Sequence, residues 1–205
     1  MSQVDAAVSA IRAGELAVIP TDTVYGLVCD PYRQESVQRL SDVKGRAPDQ
    51  PIAIVATSVE RLLECIPELR GRSAAAARSL LPGPYTLVLP NPARRYPWLG
   101  ASRPDTIGVR VPDLAGAGKA LLDAVGAVAA TSANLHTGRN PCSLEDVPEA
   151  IRAQAVLVDG GELPGVPSTV VDLTGDEPRV LREGAVSASA TLHAVEAALS
   201  AQTAE

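Results

Sequence analysis

The sequence predicts an α/β domain, a single twisted mixed sheet of about seven strands with helices packed against it. Three observations carry that reading. Short runs of Val, Ile, Leu and Ala recur along the chain and alternate with longer segments whose apolar residues fall at helical spacing. The 205 residues suit one substantial domain, and no internal repeat, low-complexity tract or linker divides them. The aromatic set is sparse, with no Phe, one Trp and four Tyr, so the core must be built from many small aliphatic contacts.

Taken in order, residues 4–13 place Val4, Ala7, Val8 and Ile11 on one helical face, and Gly14 stops that helix. Leu16-Ala17-Val18-Ile19, closed by Pro20, predicts the first strand, and residues 24–29 the second, after the polar turn Thr21-Asp22-Thr23. Residues 35–43 turn Val37, Leu40 and Val43 to one side of a helix that runs into Lys44-Gly45-Arg46. A strand at 52–55 follows, then helices near 58–65 and 72–81, which Pro82-Gly83-Pro84 ends. Residues 85–89 read as a strand. The stretch 90–105, with four prolines and no periodicity, reads as an irregular surface connection long enough to carry function. Further strand candidates lie at 107–111, 127–130, 156–158, 169–173 and 180–181, with helices near 114–124, 144–154 and 187–199. Ser143, with Asp146 three residues on, has the form of a helix start.

Composition narrows the function classes. The apolar fraction of 46% and charged fraction of 20% are ordinary globular usage. No apolar stretch approaches the roughly 20 residues of a bilayer span. Met1-Ser2-Gln3-Val4-Asp5 lacks the order of a secretory signal, so a cytoplasmic protein is expected. Cys29, Cys65 and Cys142 are too scattered for a disulfide framework or a CxxC knuckle, and His136 and His193 are too few for a dedicated zinc site. A net charge of −6 argues against bulk affinity for nucleic acid, though not against a local basic cleft.

Four polar segments sit beside apolar strands, where α/β proteins place ligand groups. Thr21-Asp22-Thr23 with Tyr25-Gly26 is either an ordinary turn or a set of hydroxyls and a carboxylate for a small polar ligand. Lys44-Gly45-Arg46 is either a solvated helix end or a phosphate clamp. Thr131-Ser132-Ala133-Asn134, with Arg139 and Asn140 following, offers small groups for phosphate or ribose oxygens. Pro167-Ser168-Thr169 and Arg182 add a hydroxyl pair and a third cation. Standard nucleotide signatures fail: Gly118-Lys119 looks like the end of a Walker loop, but Asp113 and Ala120 stand where that motif needs Gly and Ser or Thr. No GxGxxG, GxSxG or HExxH run occurs.

Together, Pro20-Thr-Asp-Thr-Val-Tyr-Gly-Leu27, Lys44-Gly-Arg46, Leu81-Pro-Gly-Pro-Tyr-Thr86, Gly108-Val-Arg110-Val-Pro112, Thr131-Ser-Ala-Asn134, Ser168-Thr169 and Leu181-Arg182-Glu-Gly184 resemble the YrdC/TsaC family of threonylcarbamoyl-AMP synthases. The resemblance implies a YrdC-like catalytic domain over residues 5–187 with a concave, positively lined cleft, followed by a C-terminal helix and tail over 188–205. The chain is expected to be the short form, without the extra C-terminal domain of some members. It implies that Thr23, Arg110, Ala130 and Ser168 hold threonine. It implies that Arg46, Gln50, Thr106, Ser132, Asn140 and Arg182 hold ATP, with Lys44 and Arg46 at the phosphates as catalytic cations. The substrates implied are ATP with Mg2+, L-threonine and bicarbonate, the product passing to a tRNA threonylcarbamoyltransferase complex. Many relatives carry Asn in place of Gln50 and His in place of Val55, and the loop after Asn134 is one residue longer than usual. Two other readings stay open at this point: a YrdC-like protein that binds structured RNA, and a diverged paralogue acting on another substrate.

Overall fold

The computed structural model describes residues 1–45, 50–136 and 138–200. In chain order the elements are α1 (Gln3–Ala13), β1 (Leu16–Ile19), β2 (Gly26–Cys29), α2 (Gln34–Lys44), β3 (Ala53–Ala56), α3 (Val59–Cys65), α4 (Gly71–Leu80), β4 (Tyr85–Pro90), α5 (Pro97–Gly100), β5 (Thr106–Arg110), α6 (Gly116–Val125), β6 (Ala127–Ser132), α7 (Glu149–Arg152), β7 (Ala155–Leu157), β8 (Thr169–Asp172), β9 (Arg179–Arg182) and α8 (Ala188–Ser200). Local chemistry sets the helix ends. Ser2 Oγ accepts the Asp5 N–H at 3.1 Å while the Asp5 carboxylate accepts the Ser2 N–H at 3.0 Å, a reciprocal cap on α1. Gly14 and Gly45, at φ 87° and 62°, close α1 and α2 in the left-handed conformation that a side chain would strain.

One mixed sheet runs in the order β7-β1-β2-β6-β3-β5-β4-β8-β9. The pairs β1/β7, β3/β5 and β4/β8 are parallel and the other five antiparallel. All nine strand candidates are therefore strands, against an expectation of about seven. The two shortest candidates became the edge strands β7 and β9. A single neighbour supplies their hydrogen bonds, and their own pattern is too brief to announce that.

Alternation assigns side chains to the two faces. Leu16, Val18, Leu27, Cys29, Ile54, Leu87 and Val109 point into a core covered by α2, α3, α4, α5, α7 and α8. Ala17, Ile19, Val28, Val55 and Val128 point to the opposite face, where α1 and α6 cover the β7–β1–β2 end. With both faces covered there, β1 and β2 are buried at every position, which is why they read as continuous apolar runs.

Two expectations change. Residues 144–154 hold only the short α7. Asp146 instead accepts the N–H groups of Cys142 and Ser143 at 3.0 and 3.1 Å, closing a turn, and Pro148 then starts α7. The irregular connection before β5 contains α5, whose Leu99 carbonyl accepts the Ile52 N–H at 2.9 Å and ties the connection to the strand entering the sheet centre. Among the described residues, no helix is long and apolar enough to cross a membrane.

Candidate active site

On the part of that second face that α1 and α6 leave uncovered, a cavity of about 520 Å³ opens over β3, β4, β5 and β6. Its floor follows from the register: Ala53 pairs with both Gly108 and Ala130, and Gly108 with Val88. Three adjacent central strands thus present almost no side chain at this row. Thr86, Val88, Val55 and Val170 complete the floor, and the segments at 50–52, 100–106, 132–136 and 167–168, with Asn140, form the walls.

Arg110, the last residue of β5, rises at one end. It is buried, and its Nη2 donates to the Asp22 carboxylate and, at 2.9 Å, to Thr23 Oγ1. The other Asp22 oxygen accepts the Asp113 N–H at 3.2 Å. Burial pushes the Asp22 carboxyl up despite the pull of Arg110. Burial likewise lowers the Arg110 guanidinium, with Asp22 opposing and Arg182 adding to the shift. Arg110 Nε is buried and makes no hydrogen bond. Beside it stands Val55, its register partner on β3, an apolar side chain next to the guanidinium. The turn that holds Asp22 is clamped at its root. A Cβ on Gly118 of α6 would lie 2.4 Å from the Pro20 carbonyl oxygen, and one on Gly160 would lie 2.4 Å from Pro20 Cβ. The Gly118-Lys119 pair is therefore a close-packing site, with no phosphate loop about it. Tyr25 closes the other side, its hydroxyl donating to the Gly161 carbonyl at 2.8 Å and accepting the Gly160 N–H at 2.9 Å.

Next along the wall, Ser168 is buried at the entry to β8 and exchanges a 2.8 Å hydrogen bond with Thr86 Oγ1. Arg182 crosses from β9 and donates through Nη2 to the Ser168 carbonyl at 2.8 Å, and burial lowers its guanidinium. Gly184 permits the crossing, because a Cβ there would sit 2.1 Å from the Pro167 carbonyl oxygen.

At the opposite end, Lys44 is buried and its ammonium donates to the Ser132 carbonyl and Oγ at 2.6 and 3.3 Å. The same ammonium donates to the Asn134 carbonyl and Oδ1 at 2.9 and 2.6 Å. Ser132 Oγ donates to Asn134 Oδ1 at 2.6 Å, so the segment is tied at both residues. Gln50 reaches His136 at 3.4 Å, and Asn140 lines the same wall. Arg46 lies outside the described residues.

Of the predicted residues, Lys44, Gln50, Thr106, Arg110, Ala130, Ser132, Asn140, Ser168 and Arg182 line the one cavity. Thr23 stands behind Arg110, buried, and reaches the cavity only through that guanidinium. Sequence reasoning missed Thr86, Ser102, Arg103 and the role of His136 as lining residues. Thr86 was legible as the alternate of Val88 on β4. Arg103 sits in the connection already singled out as long enough to carry function, and Thr106 Oγ1 donates to its carbonyl at 2.9 Å.

The profile of the Sua5/YciO/YrdC family, described as "Telomere recombination", matches residues 9–184. A threonylcarbamoyl-AMP synthase of Pyrococcus abyssi is 37% identical over 85% of this chain and 52% of its own. One of Vibrio campbellii is 33% identical over 90% of this chain and 100% of its own. The crystal structure of P. abyssi Sua5 complexed with L-threonine superposes with a TM-score of 0.81 at 33% identity, covering 95% of this chain and 58% of that one. The chain thus spans about half the length of the P. abyssi relative and the whole length of the Vibrio one. With the profile and these alignments extending over most of its residues, the chain belongs to the Sua5/YciO/YrdC family.

Proposed function

We propose that the chain is a threonylcarbamoyl-AMP synthase, a nucleotidyltransferase that makes threonylcarbamoyl-adenylate and pyrophosphate from L-threonine, bicarbonate and ATP. The observation that carries this reading is Arg110, a buried guanidinium with an unpartnered Nε at one end of a polar-rimmed cavity, suited to an amino acid carboxylate. Ser168 supplies a hydroxyl beside it, Thr23 holds the guanidinium from behind, and Ala130 leaves room on the floor. The nucleotide takes the remainder, with Arg182 and Lys44 toward the phosphates and Gln50, Thr106, Ser132 and Asn140 along the walls; Arg46, outside the described residues, is assigned to the phosphates by the family resemblance alone.

In this reading the threonine amine and bicarbonate form an N-carboxy-threonine with loss of water. A carboxylate oxygen of that group attacks the α-phosphorus and the P–O bond to pyrophosphate breaks. No covalent enzyme intermediate is required, so the residues act by holding the reactants together and by offsetting phosphate charge. Magnesium would enter with the nucleotide and supply further compensation of phosphate charge, beside Lys44 and Arg182. The product would pass, in the cytoplasm, to a tRNA threonylcarbamoyltransferase complex for formation of N6-threonylcarbamoyladenosine at position 37.

Pyrophosphate release from ATP and Mg2+ tests the reading. Release that requires threonine and bicarbonate together is expected. Release with a different amino acid would identify a paralogue of other specificity, and no release under any condition would reject the synthase reading.

A further inference from the structure

We propose that Asp22 is the positioning residue of the threonine site, acting through Arg110 without touching substrate. The inference rests on the reading just given and assigns a role to a side chain that does not itself line the cavity.

Its carboxylate bridges two points on one short segment. One oxygen holds Arg110 Nη2, and the other accepts the N–H of Asp113, three residues further along the same chain. The carboxylate therefore has its own backbone anchor and does not depend on the guanidinium for its place. Both members of the pair are enclosed, with side-chain exposures of 10% for Arg110 and 11% for Asp22. A guanidinium at that depth needs an opposite charge nearby, and a fork held on one edge loses little freedom when its other donors meet a ligand.

The surroundings make Asp22 a fixed point. Pro20, two residues before it, is gripped between Gly118 and Gly160 with no room for a side chain on either. Thr21 Oγ1 accepts the N–H groups of Thr23 and Val24 at 3.2 Å and donates to the Val24 carbonyl at 2.6 Å, closing the turn around Asp22. Thr23 then holds the same Nη2 from the other side at 2.9 Å. With Nη2 occupied from behind, the hydrogen bonds to Asp22 and Thr23 leave Nε and Nη1 unused, and Nε is buried without a partner. The guanidinium is thus oriented before substrate arrives, and the formal charge of the pair cancels. An amino acid carboxylate then meets directed donors, and a simple multiply charged anion gains little from the site.

The test compares Asp22→Asn with the native enzyme in the pyrophosphate assay, determining KM for threonine, KM for ATP and kcat, with a thermal melt on each protein. A loss of orientation of this kind is expected to raise the threonine KM about tenfold or more and leave the ATP KM within about twofold. Asp22→Glu, which keeps the charge on a longer arm, is expected to raise the threonine KM by less. An unchanged or lowered threonine KM in Asp22→Asn overturns the proposal, as do equal rises in both KM values. Should Asp22→Asn fail to fold, the same comparison on Asp22→Glu decides: a rise confined to threonine supports the proposal, and no rise overturns it. Absence of turnover in the native enzyme would instead reject the synthase reading itself, so the two failures are distinguishable.

Discussion

Lys44 Nζ lies 2.6 Å from both Asn134 Oδ1 and the Ser132 carbonyl oxygen, so one ammonium joins the end of α2 to the loop that leaves β6. That lysine has a structural task as well as the phosphate role proposed for it. Lys44→Met would leave carbonyl and amide oxygens without their charged donor. The expected loss is about 3 kcal/mol, the scale of breaking a buried charged network. Urea denaturation reads it directly, and an unchanged midpoint would reject the tie.

Arg182 offers a cleaner separation of binding from stability. It reaches the cavity from an edge strand whose Leu181 is 56% exposed, and it donates to the Ser168 carbonyl and hydroxyl. Arg182→Ala is expected to cost no more than about 1.5 kcal/mol of stability, the worth of a modest hydrogen bond. The ATP KM should rise about tenfold, which corresponds to 1.4 kcal/mol. Steady-state kinetics with ATP varied at saturating threonine checks it.

Arg110→Lys keeps a positive charge beside Asp22 but removes the planar fork. If the carboxylate of threonine meets a directed guanidinium, the threonine KM should rise about 10- to 100-fold with little change for ATP. Equal kinetics in the variant would remove Arg110 from the threonine site.

Gly184→Ala tests a backbone approach. Its new methyl would fall 2.1 Å from the Pro167 carbonyl oxygen and 2.6 Å from the Ser168 carbonyl carbon, and neither can swing aside as a flexible side chain could. A stability loss of about 3 kcal/mol is expected, at the upper end of overpacking effects. Displacement of Ser168 and Arg182 should raise the KM for both substrates. Chemical denaturation and the same kinetic assay measure the two effects.

Asp146 gives a pH dependence with a definite sign. The Cys142 thiol, then the N–H groups of Cys142 and Ser143, hold its carboxyl below the usual carboxylate range. A carboxyl whose pKa falls on folding stabilises the fold while ionised. That contribution is complete above the unfolded value of about 4 and is lost as pH falls through the lower folded value. Asp146→Asn should therefore narrow its stability gap to the native protein between pH 4 and the acid limit of folding, as urea midpoints across pH would record.

How much was legible beforehand depended on how local each signal is. Helices such as α1 carry both their caps and their apolar stripe within a dozen residues, so their ends could be read closely. The supposed helix at 144–154 failed because Asp146 satisfies two N–H groups in a turn, a use of the same Ser-x-x-Asp spacing that only the path into Pro148 distinguishes. Gly118 shows the same limit: its sequence neighbour suggested phosphate, and its spatial neighbour is Pro20.

The sequence by itself determined that this chain is an α/β domain, which motifs it carries and in what order, and which side chains could meet small polar ligands. Those properties reside in alternation, helical spacing and residue chemistry over short windows. Only the tertiary structure decided that the edge candidates pair, that Ala53, Gly108 and Ala130 fall in one row beneath a cavity, and that Asp22 stands behind Arg110. These depend on strand register and on contacts between residues from 55 to 88 positions apart in the chain. No local pattern encodes such contacts, because their free energy appears only when distant segments are brought together and water is excluded between them.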